Sequence, residues 1–184
     1  MSLSASYCNQ VASDPAAVAH VVIPDAYQQS LAPFVRVGSY SEDKTGTTVL
    51  ELPAFVEVEG ATLADPIHDA LPTDPADARV TDQDKDGNPG VTIKLSGLVS
   101  GDMYVVQRQT SELTGIAVSQ DRVQGHYGFS SEQNVIASNP DTIKGLAAQT
   151  AVVDPNECAS SFVFVRVAAA STCADLLASS TLFE

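Results

Sequence analysis

The stretch Val91-Thr92-Ile93-Lys94-Leu95-Ser96 decides the fold, because apolar and polar residues alternate in it without a break. A period of two places Val91, Ile93 and Leu95 on one face of a strand and predicts that this face is buried. Further strand segments follow at 103–108, 113–118, 123–129, 133–137 and 162–167. Short strands joined by turns predict an all-β fold, an antiparallel barrel or barrel-like sandwich with one or two short helices.

The same alternation predicts which side chains form the core. The expected core residues are Val91, Ile93, Leu95, Val123, Tyr127, Phe129, Val163 and Val165. Asp14 and Pro15 are typical of a helix start, and Thr172 is expected to cap a C-terminal helix over 174–178.

A longer strand is predicted over 47–59, before the central stretch. Its apolar face consists of Leu50, Leu52, Ala54, Val56 and Val58. Glu51, Glu57 and Glu59 fall on the opposite face, where we expect solvent. Pro53 inside the run predicts an edge strand or a bulge, since proline cannot donate to a sheet.

The chain of 184 residues is predicted to form a single domain, 1–184, with a long acidic loop at 61–90. An irregular connection of this length is uncommon in a compact domain. We therefore expect it to be either disordered or organised by a bound cation.

The loop contains the run Asp82-Gln83-Asp84-Lys85-Asp86-Gly87-Asn88-Pro89-Gly90. Three aspartates two residues apart, followed by glycine, let one tight turn aim several carboxylate oxygens at one point, as calcium requires. The first half of an EF-hand loop has this pattern, but the twelfth position here is Ile93, which cannot ligate. The alternative interpretation is a solvated acidic turn before a strand.

The run resembles the aspartate-rich loops of thrombospondin type 3 repeats and D-x-D-x-D-G loops inserted in secreted bacterial β-proteins. The resemblance covers residues 82–90 only. It implies calcium as the cofactor, with Asp82, Asp84 and Asp86 as side-chain ligands and Asn88 as a backbone ligand. A distant acid would have to complete the shell, and the candidates are Asp74, Asp77, Asp121 and Glu132.

Composition excludes several kinds of partner. The formal net charge of −14 repels nucleic acid and anionic lipid, whose binding needs clustered lysine and arginine. No run of 18 apolar residues is present, so we expect no direct membrane insertion of this segment.

Three cysteines bear on location. Cys158 and Cys173 flank one β segment and are predicted to form a disulfide, although Cys8 could pair with either, or all three could be reduced. A disulfide would imply export to the periplasm, cell surface or medium. Met1-Ser2-Leu3 is typical of a vector-encoded start, so we expect that an export signal has been removed.

No motif of a known enzyme class is present, and we expect a protein that is not an enzyme. His126 as a general base, the pair Glu57 and Glu59, and strand arginines Arg36, Arg108 and Arg166 as anion ligands each have a commoner structural explanation. The favoured function is a non-catalytic exported bacterial β-domain with a structural calcium loop, and the soluble part of a lipoprotein is the origin considered.

Two alternatives stay open. A lipocalin-like carrier would hold a small apolar ligand in a cavity lined by Tyr104, Tyr127, Phe129 and Phe164, although the chain has no tryptophan. An unrecognised hydrolase would show a cleft with convergent acids and a perturbed pKa.

Overall fold

The computed structural model describes residues 1–10, 19–146, 150–152, 156 and 159–183. The strands are β1 (Ser2–Ala5), β2 (Ala19–Val22), β3 (Phe34–Val37), β4 (Ser39–Glu42), β5 (Thr48–Glu59), β6 (Val91–Gly97), β7 (Gly101–Ser119), β8 (Arg122–Asn139), β9 (Thr150–Val152) and β10 (Ser161–Val165). The helices are α1 (Asp25–Ser30) and α2 (Cys173–Ala178), with 3-10 helices at Asp141–Leu146 and Ser180–Phe183. Within the described ranges, no helix is long and apolar enough to cross a membrane.

The long antiparallel hairpin of β7 and β8 organises the main sheet. On the side away from β8, β7 pairs first with β6 and then with β5. On the side away from β7, β8 pairs with β10 and β9. The sheet order is β4-β5-β7-β8-β10, and no pair among the described strands joins β4 to β10. The predicted all-β class with short helices is confirmed. Of the two predicted architectures, barrel or barrel-like sandwich, the barrel is wrong because the described strands do not close into one.

Two pairs of predicted strand segments are each one continuous strand in the structure. The segments 103–108 and 113–118 were expected to be separate strands, and both belong to β7. Likewise 123–129 and 133–137 both belong to β8. This part of the chain therefore forms fewer and longer strands than the sequence predicted.

A bulge in β5 exchanges the two faces of that strand. The pairing of β5 with β7 shifts by one residue between Leu52 and Phe55. One extra residue moves every later side chain to the other face. Glu57 and Glu59 therefore lie on the face that carries Leu52, and the predicted solvent position of Glu59 is wrong, since it is only 3% exposed.

The 61–90 loop packs against the sheet through its own apolar side chains. Bridges Ala61–Val80 and Asp82–Gly90 organise it internally. Its buried residues and their partners on β7 and β8 are Ala61, Leu63, Leu71, Val106 and Ile136. The Arg108 guanidinium donates to carbonyl oxygens of this loop at 2.8–3.0 Å. Apolar packing and Arg108 thus contribute to the order of this loop, for which the sequence predicted either disorder or organisation by a bound cation.

The main core lies on the opposite face of the sheet. It consists of Tyr27, Val91, Ile93, Met103, Val105 and Ile143. The predicted core residues Val91 and Ile93 are confirmed as buried. The remaining predicted core residues are half-buried, namely Leu95, Val123, Tyr127, Phe129, Val163 and Val165.

The chain ends are joined by a disulfide between Cys8 and Cys173, with Cα atoms 5.3 Å apart. The predicted Cys158–Cys173 pair is therefore wrong, and Cys158 itself lies outside the described residues. The C-terminal helix is confirmed, and Thr172 caps it by accepting from the Asp175 amide. The helix start predicted at Asp14 lies outside the described residues.

Candidate metal centre

The two ends of the aspartate run are held together by backbone hydrogen bonds. Gly90 donates to the carbonyl of Thr81, and Gln83 donates to the carbonyl of Gly90. Thr81 in turn donates to the carbonyl of Gly60, just after β5. The run is therefore a closed loop fixed between the end of β5 and the start of β6.

Two glycines allow this loop to close. Gly87 has φ = 88° and Gly90 has φ = 86°, in the left-handed region that other residues rarely adopt. At Gly90 a Cβ would also lie 2.3 Å from the Val105 carbonyl oxygen. The glycine predicted to allow the turn is thus joined by a second one that permits close approach to β7.

The aspartate trio (Asp82, Asp84 and Asp86) converges as the spacing predicted. Each member offers one carboxylate oxygen, and these oxygens lie within 4.8 Å of one another. Two ligands on opposite sides of a calcium ion are separated by about 4.6–5.2 Å. A single cation between them could therefore contact all three carboxylates.

Asp84 is the buried member of the trio, at 8% exposure. Its Oδ2 accepts from the backbone N–H of Thr92 at 2.9 Å, while its buried Oδ1 has no hydrogen-bond partner. Burial raises the pKa of Asp84, and the negative charges of Asp86 and Asp82 raise it further. A buried carboxylate in this position needs a proton or a cation.

Thr92 orients two of the three carboxylates from the start of β6. Besides its amide bond to Asp84, its Oγ1 donates to Asp86 Oδ2 at 2.5 Å. The Asn88 amide donates to Asp86 Oδ1 at 2.8 Å. Burial raises the pKa of Asp86, but these hydrogen bonds outweigh it and the pKa is lowered overall. Asp86 is therefore poised as an ionised ligand.

Asp82 and Asn88 have more local roles. Asp82 is exposed and accepts from the backbone N–H groups of Asp86 and Gly87 at 3.1 and 3.0 Å. The backbone N–H of Asn88 donates to Asp86, and ligation of a cation by the backbone carbonyl of Asn88 stays a prediction.

The distant acids proposed to complete the shell are held elsewhere. None of the four belongs to the trio. Asp77 pairs with Arg79 at 2.7 Å, Asp121 with Arg166 at 2.8 Å and Glu132 with Arg108 at 2.8 Å, and Asp74 accepts from the Ala76 amide. In the described part of the chain, none of these four acids therefore completes a shell around the trio.

A second polar site was missed by the sequence analysis. The Glu59 cluster (Tyr27, Glu59 and Gln107) lies in the main core, where Glu59 Oε2 accepts from the Tyr27 hydroxyl and from Gln107 Nε2. Burial raises the pKa of Glu59. Nearby, the Tyr7 hydroxyl donates to Glu57 at 2.7 Å. The sequence signal that could have indicated this site was Pro53, because the bulge at Pro53 turns Glu57 and Glu59 toward the face that carries Leu52.

Arg36 holds that bulge. Its buried guanidinium donates to the carbonyls of Pro53 and Ser111 at 2.8 and 2.9 Å and lies 5.4 Å from the centre of the Phe55 ring. Arg36 thus binds carbonyl groups of its own chain, where an anionic ligand had been considered. His126, considered as a general base, is an exposed residue of β8.

The four aromatic residues expected to line a carrier cavity do not surround one space. Tyr127 and Phe129 stack at 5.7 Å, but Tyr104 packs with the 61–90 loop on the other face of the sheet and Phe164 is exposed. An open groove of about 710 Å³ lies elsewhere. Its apolar lining includes Val49, Ile116, Phe162, Val163 and Phe183.

Comparison with protein-family models, curated proteins and solved structures finds no match to this chain. The site is therefore interpreted from its own geometry.

Proposed function

We propose that this chain is a non-catalytic β-domain, sandwich-like and folded as one unit, whose aspartate trio holds a structural calcium ion. The observation that carries the proposal is Asp84. Its Oδ1 is buried without a hydrogen-bond partner, among three carboxylates that lie within 4.8 Å. A cation would supply the missing partner and neutralise the repulsion among the carboxylates.

The donor set favours calcium over other metals. The trio offers only carboxylate oxygens, the ligands of hard cations, and includes no thiolate or imidazole. Magnesium demands strict octahedral geometry and keeps its waters, whereas calcium accepts an irregular loop.

A structural role follows from what the loop connects. The trio lies near the end of the acidic loop and is bonded to Thr92, which is 4% exposed at the start of β6. An ion here would fasten the loop to the sheet. Glu57 and Glu59 give less support to a hydrolase, because tyrosine hydroxyls occupy both carboxylates and Glu59 is buried.

Export is part of the same proposal. The Cys8–Cys173 disulfide is compatible with an oxidising compartment, such as the periplasm or the cell exterior. Calcium loops of moderate affinity also suit extracellular calcium levels. An origin in a lipoprotein remains an expectation from the sequence.

Thermal unfolding in calcium and in chelator tests the calcium site. A ligand at 100 times its Kd stabilises the folded state by about 2.7 kcal/mol, which corresponds to roughly 5–10 °C in Tm for a chain of this size. Asp84→Ala should abolish the shift, and Asp74→Ala, an exposed acid of the same loop outside the trio, should keep it. Coincident curves for the wild-type chain would refute the proposal.

The groove supports a second candidate function, a carrier of a small apolar ligand. A solvatochromic apolar dye should bind the wild-type chain. Ile116→Lys, which places a charge in the groove, should weaken dye binding. Val118→Lys is the matched control, because Val118 is similarly exposed on β7 but is not part of that apolar lining. Equal binding by the two variants would exclude the groove as the site.

A further inference from the structure

Gln83, between two members of the trio, connects the metal loop to helix α1. Its Oε1 accepts from the Gly60 amide at 2.8 Å, and its Nε2 donates to Ser30 Oγ at 3.4 Å. Ser30 is the last residue of α1, and its Oγ donates to the Tyr27 carbonyl at 2.7 Å. One loop side chain thus spans the distance from the trio to the helix.

Helix α1 depends on such tertiary contacts. It has six residues and no side-chain cap at its N-terminus. Helices this short are not stable alone in water. Three side chains tie α1 to the rest of the fold. Tyr27 is 2% exposed and bonded to Glu59, Gln28 Oε1 accepts from the Gln10 backbone N–H at 3.2 Å, and Ser30 accepts the contact from Gln83.

The helix covers a buried polar site. Tyr27 packs on Ile93 and Met103 in the main core, and its hydroxyl closes the Glu59 cluster. Displacement of α1 would expose both the carboxylate of Glu59 and the apolar surface around it. The docking of α1 therefore controls access to this part of the sheet.

The position of Gln83 in turn depends on the trio. Asp82 and Asp84 flank Gln83, and without a cation their carboxylates repel each other and Asp86. The buried Asp84 Oδ1, which has no partner, points to a cation at this place independently of the acidic spacing. A bound cation would fix the loop, and with it Gln83, in the geometry that meets Ser30.

We propose that divalent-cation binding at the aspartate trio is coupled through Gln83 to the docking of helix α1, so that the cation keeps the Glu59 cluster covered. This inference rests on the proposed calcium site. Coupling is reciprocal, so the factor by which calcium strengthens the docking of α1 is also the factor by which docked α1 strengthens calcium binding. A variant that loses this coupling should therefore bind calcium more weakly by up to that factor.

Hydrogen exchange and calorimetric titration, performed together on the full chain, test the coupling. In the wild-type chain, calcium should slow exchange of the amides of residues 28–31 by about three- to tenfold, the factor that one hydrogen bond supplies. Gln83→Leu should still bind calcium but lose this protection. Gln124→Leu, an exposed glutamine of β8, is the matched control and should behave as wild type.

Ser30→Ala removes the same contact from the helix side and leaves the metal loop intact. It should weaken calcium binding about three- to tenfold, although Ser30 is not a ligand. Two results would overturn the coupling but leave the calcium site standing. One is that the wild-type chain binds calcium without a change in amide hydrogen exchange at residues 28–31. The other is that Ser30→Ala binds calcium with wild-type affinity. Absence of calcium binding in the wild-type titration would overturn the proposed calcium site and the coupling with it.

Discussion

Asp84 and Glu59 are both buried carboxylates, yet their surroundings differ in kind. Neutral donors from α1 and β7 surround Glu59, whereas two further carboxylates surround Asp84 and one of its oxygens has no partner. Burial raises the pKa of both groups. Burial is thus common to the two carboxylates, and what distinguishes Asp84 is an oxygen without a partner beside two like charges, the combination on which the proposed cation site rests.

The largest effect on calcium affinity is expected from substitution of Asp84. Asp84→Ala should weaken calcium binding at least about a hundredfold, because it removes the buried ligand. Glu59→Gln should leave calcium affinity within about threefold, since Glu59 is not a ligand and the amide oxygen of glutamine can still accept from the Tyr27 hydroxyl that docks α1. Calorimetric titration measures both. Similar losses in the two variants would mean that the two carboxylates do not have the different roles assigned to them.

A smaller loss is expected from the residue that orients the trio. Thr92→Val keeps the shape and the backbone amide but removes the hydroxyl that binds Asp86. Partners that orient metal ligands typically contribute about 10–100-fold in affinity. Thr92→Ser restores the hydroxyl and should recover most of the affinity. If valine and serine bind calcium equally well, the hydroxyl does not orient the site.

The smallest effect concerns the pH dependence of stability. Because the folded-state pKa of Glu59 is raised, its contribution is fully present below the ordinary glutamate pKa. That contribution is lost as pH rises through the raised value, by about 1.4 kcal/mol for each pKa unit of difference. Urea unfolding in chelator should therefore show wild-type stability falling relative to Glu59→Gln over this range. A constant difference between the two would contradict the raised pKa.

The aspartate trio and the central strand were predictable because their signals are local. Spacing alone brings Asp82, Asp84 and Asp86 together, and alternation alone buries Val91 and Ile93. These properties depend on a turn or a single strand, which the sequence specifies directly.

The Glu59 cluster was not predictable in the same way. Pro53 indicated a bulge, but the exchange of faces follows only from the pairing register with β7. The cover of Glu59 by Tyr27 joins residues 32 positions apart in the chain. The Cys8–Cys173 disulfide, with a separation of 165 residues, is also a property of the whole fold.

A crystal structure of the chain grown in calcium, with anomalous scattering to identify the ion, is the most direct test of calcium binding at the aspartate trio. We expect one calcium peak at about 2.3–2.6 Å from oxygens of Asp82, Asp84 and Asp86, with Asp84 Oδ1 among its ligands. We expect no cation at Glu59, whose Oε2 should keep its hydrogen bonds to Tyr27 and Gln107. An ordered water or an empty space beside Asp84 Oδ1 at saturating calcium would contradict a calcium site at the aspartate trio.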